Sequence, residues 1–407
     1  MVPSVRQHAM KSLLKKLWNA DFTDYSFPDL KYFWILLSAY IVFEGLTVVQ
    51  VPKGFMELYS DYINLHPELE MFRHGSLVIA FVYFVGLFWF VQLNERAAAK
   101  TIGAKKLRAQ VAPHTMAYVL DILVVIFVIY LMQNMIGWMT GRPISLMGLL
   151  DLTDPNHPFK SLIDFYNRAI PTYIELPYLL ALLLTLILAD LPIYAFHYAT
   201  HKSRFLWYVM HRSHHSAEYL HPFGTGPNFG FTFIFLIPAF LFKLGLSKMF
   251  YNEPILDGLL IYNVMLFVSE KFNHSSAFYH VTSSNRYLHF VFRFLGNGSH
   301  HVVHHSAREG EEMVNLGNAV FNFWDRIFGT FREPDKTIPP LGLTNQPKLR
   351  LNPLRLYFGG VCTIAYEIRH NHPRYWFKII FGSVFFTPPK TKEYLIESYP
   401  EKMWASQ

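Results

Sequence analysis

Hydrophobic and polar positions along the chain resolve into six apolar windows, at 32–51, 75–93, 116–139, 176–198, 230–246 and 255–269. About 20 helical residues cross a bilayer core, so the first four windows predict transmembrane helices. The last two are shorter and are separated by "SKMFYNEP", in which Asn252 and Pro254 signal a turn. They predict a tight hairpin of tilted helices.

Charge orients these windows. Arg6, Lys11, Lys15 and Lys16 precede the first, and Arg96, Lys100, Lys105, Lys106 and Arg108 lie between the second and third. Glu57, Asp61, Glu68 and Glu70 follow the first window, and Asp151, Asp154 and Asp164 follow the third. Lys and Arg favour cytoplasmic loops, which places the fourth window's C-terminal end, and everything the hairpin returns, on the cytoplasmic side. Composition agrees: 52% hydrophobic and 16% charged, with a mean hydropathy of +0.19, is too apolar for an ordinary soluble domain. The net charge of +7 sits mainly in predicted cytoplasmic loops, so anionic lipid headgroups are the expected partner and nucleic acid is not. Residues 1–30 form a basic amphipathic segment without the apolar core of a signal peptide. Within it "MKSLLKKLW" reads equally as a surface-lying helix or a solvated one.

Histidine supplies the chemistry. Thirteen of twenty histidines fall within 190–331, in "HYATH" (His197, His201), "HRSHH" (His211, His214, His215) and "HVVHH" (His301, His304, His305). On a helix, i, i+3 and i+4 share a face, so each "HxxHH" predicts three imidazoles on one side. Eight ligands exceed one ion's needs and suffice for two. Cys362 is the sole cysteine, far from every cluster, which excludes a zinc finger and an internal disulfide. His274, after an apolar run, is a ninth candidate ligand. His221, His280, His289 and His300 read as neighbours of the site or surface residues.

Asp190 shares a helical stripe with Tyr194, His197 and His201, and an intramembrane acid is costly and usually functional. It is expected to hydrogen-bond a ligating imidazole, and Glu270 could serve His274 in the same way. Glu44 and Asp121 are expected to satisfy local polar groups. Downstream, Asn315 and Asn318 flank Gly317, and Asp325 and Arg326 stand where a helix would close back on the site. In the basic, aromatic tail, "YWFKIIFGSVFF" is too short to span and either lies at the interface or packs on the catalytic region. The expected organisation is an N-terminal segment (1–30), transmembrane helices (31–175), a histidine-box catalytic domain (176–335) and a tail (336–407). The fold class is all-α: an integral membrane helical bundle with a cytosolic, histidine-rich di-metal cap.

"DLPIYAFHYATH", "FLWYVMHRSHHS", "NHSS" and "HHVVHHS…NLGN…FWDRIFGTF" together resemble the fatty acid hydroxylase/sterol desaturase superfamily of membrane di-iron oxygenases, over roughly 190–333. Ala195 and Tyr198 differ from the Trp and Arg that often flank its first histidine, but no box histidine is missing. The resemblance implies two non-haem Fe ions, dioxygen and two electrons used to hydroxylate or desaturate an unactivated C–H bond of a sterol, alkylglycerol or fatty acyl lipid. Sterol C-5 desaturase-like and alkylglycerol monooxygenase-like proteins are the subfamilies favoured. It places the protein in the endoplasmic reticulum of a eukaryote or the inner membrane of a bacterium. No "CxxCH", "GxGxxG" or fused haem unit is present, so a separate donor is implied: cytochrome b5-like, ferredoxin or pterin. A divalent-metal transporter and a zinc-dependent membrane hydrolase are the alternatives, the latter leaving most of the histidines unused.

Overall fold

The computed structural model describes residues 85–140 and 165–391, except 88, 99, 225–228, 231–236, 254, 293, 297, 318–319 and 345–350, together with positions 12, 15, 16, 18 and 19. The window at 32–51, most of that at 75–93, both acidic loops, Glu44, Asn318 and most of residues 1–30 lie outside the described residues.

Helix α1, Ala104–Thr140, contains the third window but begins earlier, inside what the charge pattern suggested was a basic loop. Its two ends differ. Leu107, Val111 and Ala112 are buried against Tyr219 and Phe223, and Gln110 Nε2 donates to the Tyr219 carbonyl at 2.5 Å. Leu123, Phe127, Leu131 and Trp138 are exposed. One end therefore packs on the histidine region and the other presents apolar surface outward.

The fourth window forms two helices, α2 (Tyr178–Leu188) and α3 (Leu191–Lys202). The break falls at Ala189–Asp190, and Pro192 opens α3 where its missing N–H costs nothing. Among the described residues, Lys105–Val128 and Tyr178–Lys202 are long and apolar enough to cross a membrane. Helices α4 (Ile237–Lys248) and α5 (Leu256–Asn273) pack against α2. Gly258 permits the close approach of α5, because a Cβ there would lie 2.9 Å from Leu182 Cδ1. The 12 residues of α4 rise about 18 Å, short of the ~30 Å hydrocarbon core.

Short elements then carry the histidines. A turn at Arg204–Leu206 leads into a π-helical turn, Trp207–His211, and a 3-10 turn at His214–Ser216. Helices α6 (Tyr279–Ser284), α7 (Arg286–Val291), α8 (Gly298–His304) and α9 (Phe323–Phe328) follow, α9 ending at Gly329 with φ 76°. Among the described residues there are helices and two isolated bridges, Leu295–Phe321 and Ser306–Leu341, but no strand.

The C-terminal region is part of this core. Helix α10, Pro353–His370, is capped by the Asn352 side chain and lies across the π-helical turn, with Gly360 so close to the Tyr208 carbonyl that no Cβ would fit. The Arg204 guanidinium forks onto both carboxylate oxygens of Glu367, and both residues are fully buried. Tyr357 donates to Asp121 Oδ1 at 2.7 Å, tying α10 to α1. Of the two sequence expectations for "YWFKIIFGSVFF", packing is observed: helix α11 (Trp376–Phe381) runs into Gly382, whose carbonyl accepts from the Arg204 amide at 3.1 Å.

Candidate metal centre

The nine sequence-predicted ligands converge in two groups, each with its ligand nitrogens within 4.8 Å of one another. Group one contains His197, His201, His211, His215 and His304; group two contains His214, His274, His301 and His305. The boxes are not partitioned by site, which corrects the expectation that each "HxxHH" faces one way. His211 and His215 enter group one while His214 crosses to group two. His301 and His305 enter group two while His304 crosses to group one. At about 100° per residue, i+4 lies about 40° to one side of i and i+3 about 60° to the other. A ligand pair at i, i+4 therefore closes on one centre and the i+3 imidazole points past it towards a neighbour.

Distances fit a shared cation. In group one, His211 Nε2 lies 2.9 Å from His197 Nε2 and 3.0 Å from His215 Nε2. In group two the four Nε2 atoms form a closed ring, with His214–His274 at 3.2 Å, His274–His301 at 3.0 Å, and His301–His305 and His305–His214 both at 3.1 Å. The middle of such a ring is about 2 Å from each nitrogen, a metal–imidazole bond length.

Tautomers sharpen the test. His197 Nδ1 donates to the Leu316 carbonyl at 2.6 Å, His304 Nδ1 to Val314 at 2.8 Å, and His274 Nδ1 to Glu270 at 2.7 Å. His201 bonds the Glu312 backbone. With the proton on Nδ1, each Nε2 is a bare lone pair. The Nε2 atoms of His201 and His304 are buried without a hydrogen-bond partner. Lone pairs turned inward in this way call for a positive centre. Burial, reinforced by neighbouring histidines, pushes His211, His214, His215, His301, His304 and His305 well below the usual imidazole range. Burial and the Lys271 charge lower His274 to about 4. These rings are neutral at physiological pH and free to ligate.

The orienting acceptors are backbone carbonyls, where the sequence suggested carboxylates. Glu312, Val314 and Leu316 alternate along one short segment and hold three of the five group-one rings. Asp325 holds that segment in turn, accepting from the amides of Leu316 at 2.7 Å and Gly317 at 2.9 Å. Asn315, at φ 51°, bonds the His300 and Arg332 carbonyls. Sequence reading flagged Asn315, Gly317 and Asp325 but not the carbonyls they position, which carry no side-chain signature.

Asp190 stands one layer further out than expected. Its carboxylate accepts from Tyr262 Oη at 2.5 Å and from the amides of Val320 and Phe321 at 3.2 and 3.3 Å, and it bonds no imidazole. Glu270 serves His274 through its carbonyl while its carboxylate faces Lys271 at 3.5 Å. His221, His280, His289 and His300 belong to neither group.

Two all-imidazole groups, each able to hold a metal ion, in a helical frame define a class of site, and a family comparison covers the same region. The fatty acid hydroxylase family model matches residues 182–330, so the chain carries a domain of that family, which lies within the fatty acid hydroxylase/sterol desaturase superfamily. The family is membrane-associated, typically iron-dependent and oxidoreductive. No curated protein and no solved structure matched the chain.

Proposed function

We propose that this protein is a multi-pass membrane di-iron oxygenase that hydroxylates or desaturates an unactivated C–H bond of a lipid, with its metal centre on the cytoplasmic side. The observation carrying this reading is the pair of imidazole groups whose ligand nitrogens converge, with the buried Nε2 atoms of His201 and His304 lacking any hydrogen-bond partner. His197, His201, His211, His215 and His304 would hold one ion, and His214, His274, His301 and His305 the other. Bound iron supplies the oxidising power for a bond that acid–base chemistry cannot break. The chain's own residues do the rest. Neutral imidazoles leave the positive charge on the centre, and the Glu312, Val314 and Leu316 carbonyls fix ring orientation and tautomer. Burial keeps water away from the ligand nitrogens.

The substrate is an apolar lipid segment, and the two electrons come from a separate donor of the cytochrome b5, ferredoxin or pterin type. Iron-loaded protein in lipid vesicles, given ¹⁸O₂ and a chemical reductant, is expected to yield an oxidised or desaturated lipid with oxygen consumption that ceases in His304→Ala. Metal flux into vesicles without lipid oxidation would overturn the reading in favour of transport.

A further inference from the structure

The first turns of α1 precede its apolar window and lie outside residues 182–330, the part matched by the family model. Three polar side chains there, Gln110, His114 and Thr115, are buried. Positions 110 and 114 are one helical turn apart, with 111 and 115 beside them, so the three share a face. Leu107 and Val111 pack from that face against Tyr219 and Phe223. Burying polar groups is costly unless they are hydrogen-bonded. Each of these three finds a partner within residues 213–223, the stretch that begins inside the second histidine box.

Gln110 Nε2 donates to the Tyr219 carbonyl at 2.5 Å and Thr115 Oγ1 to the Phe223 carbonyl at 3.2 Å, which holds the downstream end of that stretch. His114 holds the upstream end. Its Nδ1 lies 2.8 Å from the Gln110 carbonyl, and its Nε2 lies 3.4 Å from the Ser213 carbonyl and 3.5 Å from Ser216 Oγ. In one tautomer Nε2 donates to Ser213; in the other Nδ1 donates to Gln110 and Nε2 accepts from Ser216. Either way the ring is tied to the residues that flank His214 and His215. The Ser213 carbonyl also accepts from the Ser216 amide at 3.1 Å and from Ser216 Oγ at 2.6 Å. These bonds close the 3-10 turn that follows the π-helical one. It is at this turn that His214 parts from His211 and His215 and joins group two.

We propose that His114 is a positioning residue for group two: it fixes the turn at 213–216 and, through that turn, the direction in which the His214 ring points. Group two depends on this more than group one, because His214 is one of four rings and His215 one of five. The assignment rests on the two-ion part of the proposed function and is independent of which lipid is oxidised. It is tested on the full-length protein with Fe(II) as the probe, ions being counted by native mass spectrometry and affinities measured by chelator competition. His114→Leu should weaken the second ion on the order of tenfold and leave the first unchanged. His114→Gln, whose amide can still donate to the Ser213 carbonyl, should recover most of that loss. In a His214→Ala background, His114→Leu should cost the remaining ion nothing further, since the ring it acts through is gone. In metal-free protein, His114→Leu should speed hydrogen exchange at the Ser216 amide. Ser216→Ala removes one hydroxyl from the same turn and should show a smaller loss in the same direction; it decides the matter if His114→Leu does not fold. Wild-type affinity for the second ion in the variants that fold, equal weakening of both ions, or a further loss in the His214→Ala background overturns the proposal. Two ions bound without lipid oxidation would sink the oxygenase reading and leave the role of His114. Lipid oxidation by a protein whose second ion is indifferent to position 114 would do the reverse.

Discussion

The two imidazole groups are built from interleaved boxes yet held in different ways. Group one has five rings, three of them aligned by carbonyls of one segment, and three of its rings, His201, His215 and His304, border a small pocket. Group two has four rings in a closed circuit. Its His274 is anchored on Glu270, while the Nδ1 atoms of His301 and His305 are buried without a partner. Group one is thus braced by backbone carbonyls, and group two rests more on contacts among its own rings. Ligating rings without a second hydrogen bond are held less firmly and are less basic.

The largest expected effect separates the groups by ligand number. His214→Ala leaves group two with three rings and should halve the metal content, with activity falling on the order of 10³-fold or more. His215→Ala leaves four rings in group one and should retain both ions, bound more weakly, on metal analysis of the purified variant. Equal losses from both variants would erase the distinction.

Acid acts on both groups at once. Folded-state histidine pKa values lie below the ordinary 6.5, so the unfolded chain takes up protons first as pH falls. Metal-stripped protein should hold its full stability above about pH 6.5 and lose it progressively towards pH 4, where His274 begins to charge. Thermal unfolding across that window checks the sign, and a flat Tm contradicts it.

Bracing can be removed selectively. Arg204→Met strands the buried Glu367 carboxylate and should cost about 3–5 kcal/mol, with the loss recovered in Arg204→Met/Glu367→Leu. Asp325→Asn should loosen the Leu316 and Gly317 amides and weaken metal retention at group one by about 10–100-fold, leaving group two unaffected in a chelator-competition titration. Asp190→Asn is expected to do least. It should lower stability by about 1–3 kcal/mol through the Val320 and Phe321 amides, without changing metal content at saturation. A metal loss as large as that of Asp325→Asn would return Asp190 to the ligand environment.

The convergence of the nine histidines was legible because helical spacing is periodic and histidine is chemically distinctive. His197 with His201, His211 with His215, and His301 with His305 are i, i+4 pairs, and each pair closes on one group. The crossing of His214 and His304 was hidden, because same-face reasoning treats i+3 and i+4 as equivalent when they diverge by about 100°. The π-helical and 3-10 turns at Trp207–His211 and His214–Ser216 also depart from the regular spacing. The Glu312, Val314 and Leu316 carbonyls left no trace in the sequence beyond Asn315 and Asp325 nearby. The role of residues 353–386 was equally obscure: the Arg204–Glu367 pair spans 163 positions, and nothing local to either residue names the other.

The most direct measurement is native mass spectrometry of the purified, iron-reconstituted chain, counting ions bound per protein. Two ions on the wild type and one on His214→Ala are predicted. A wild type that saturates with a single ion would contradict the division of nine imidazoles into two sites.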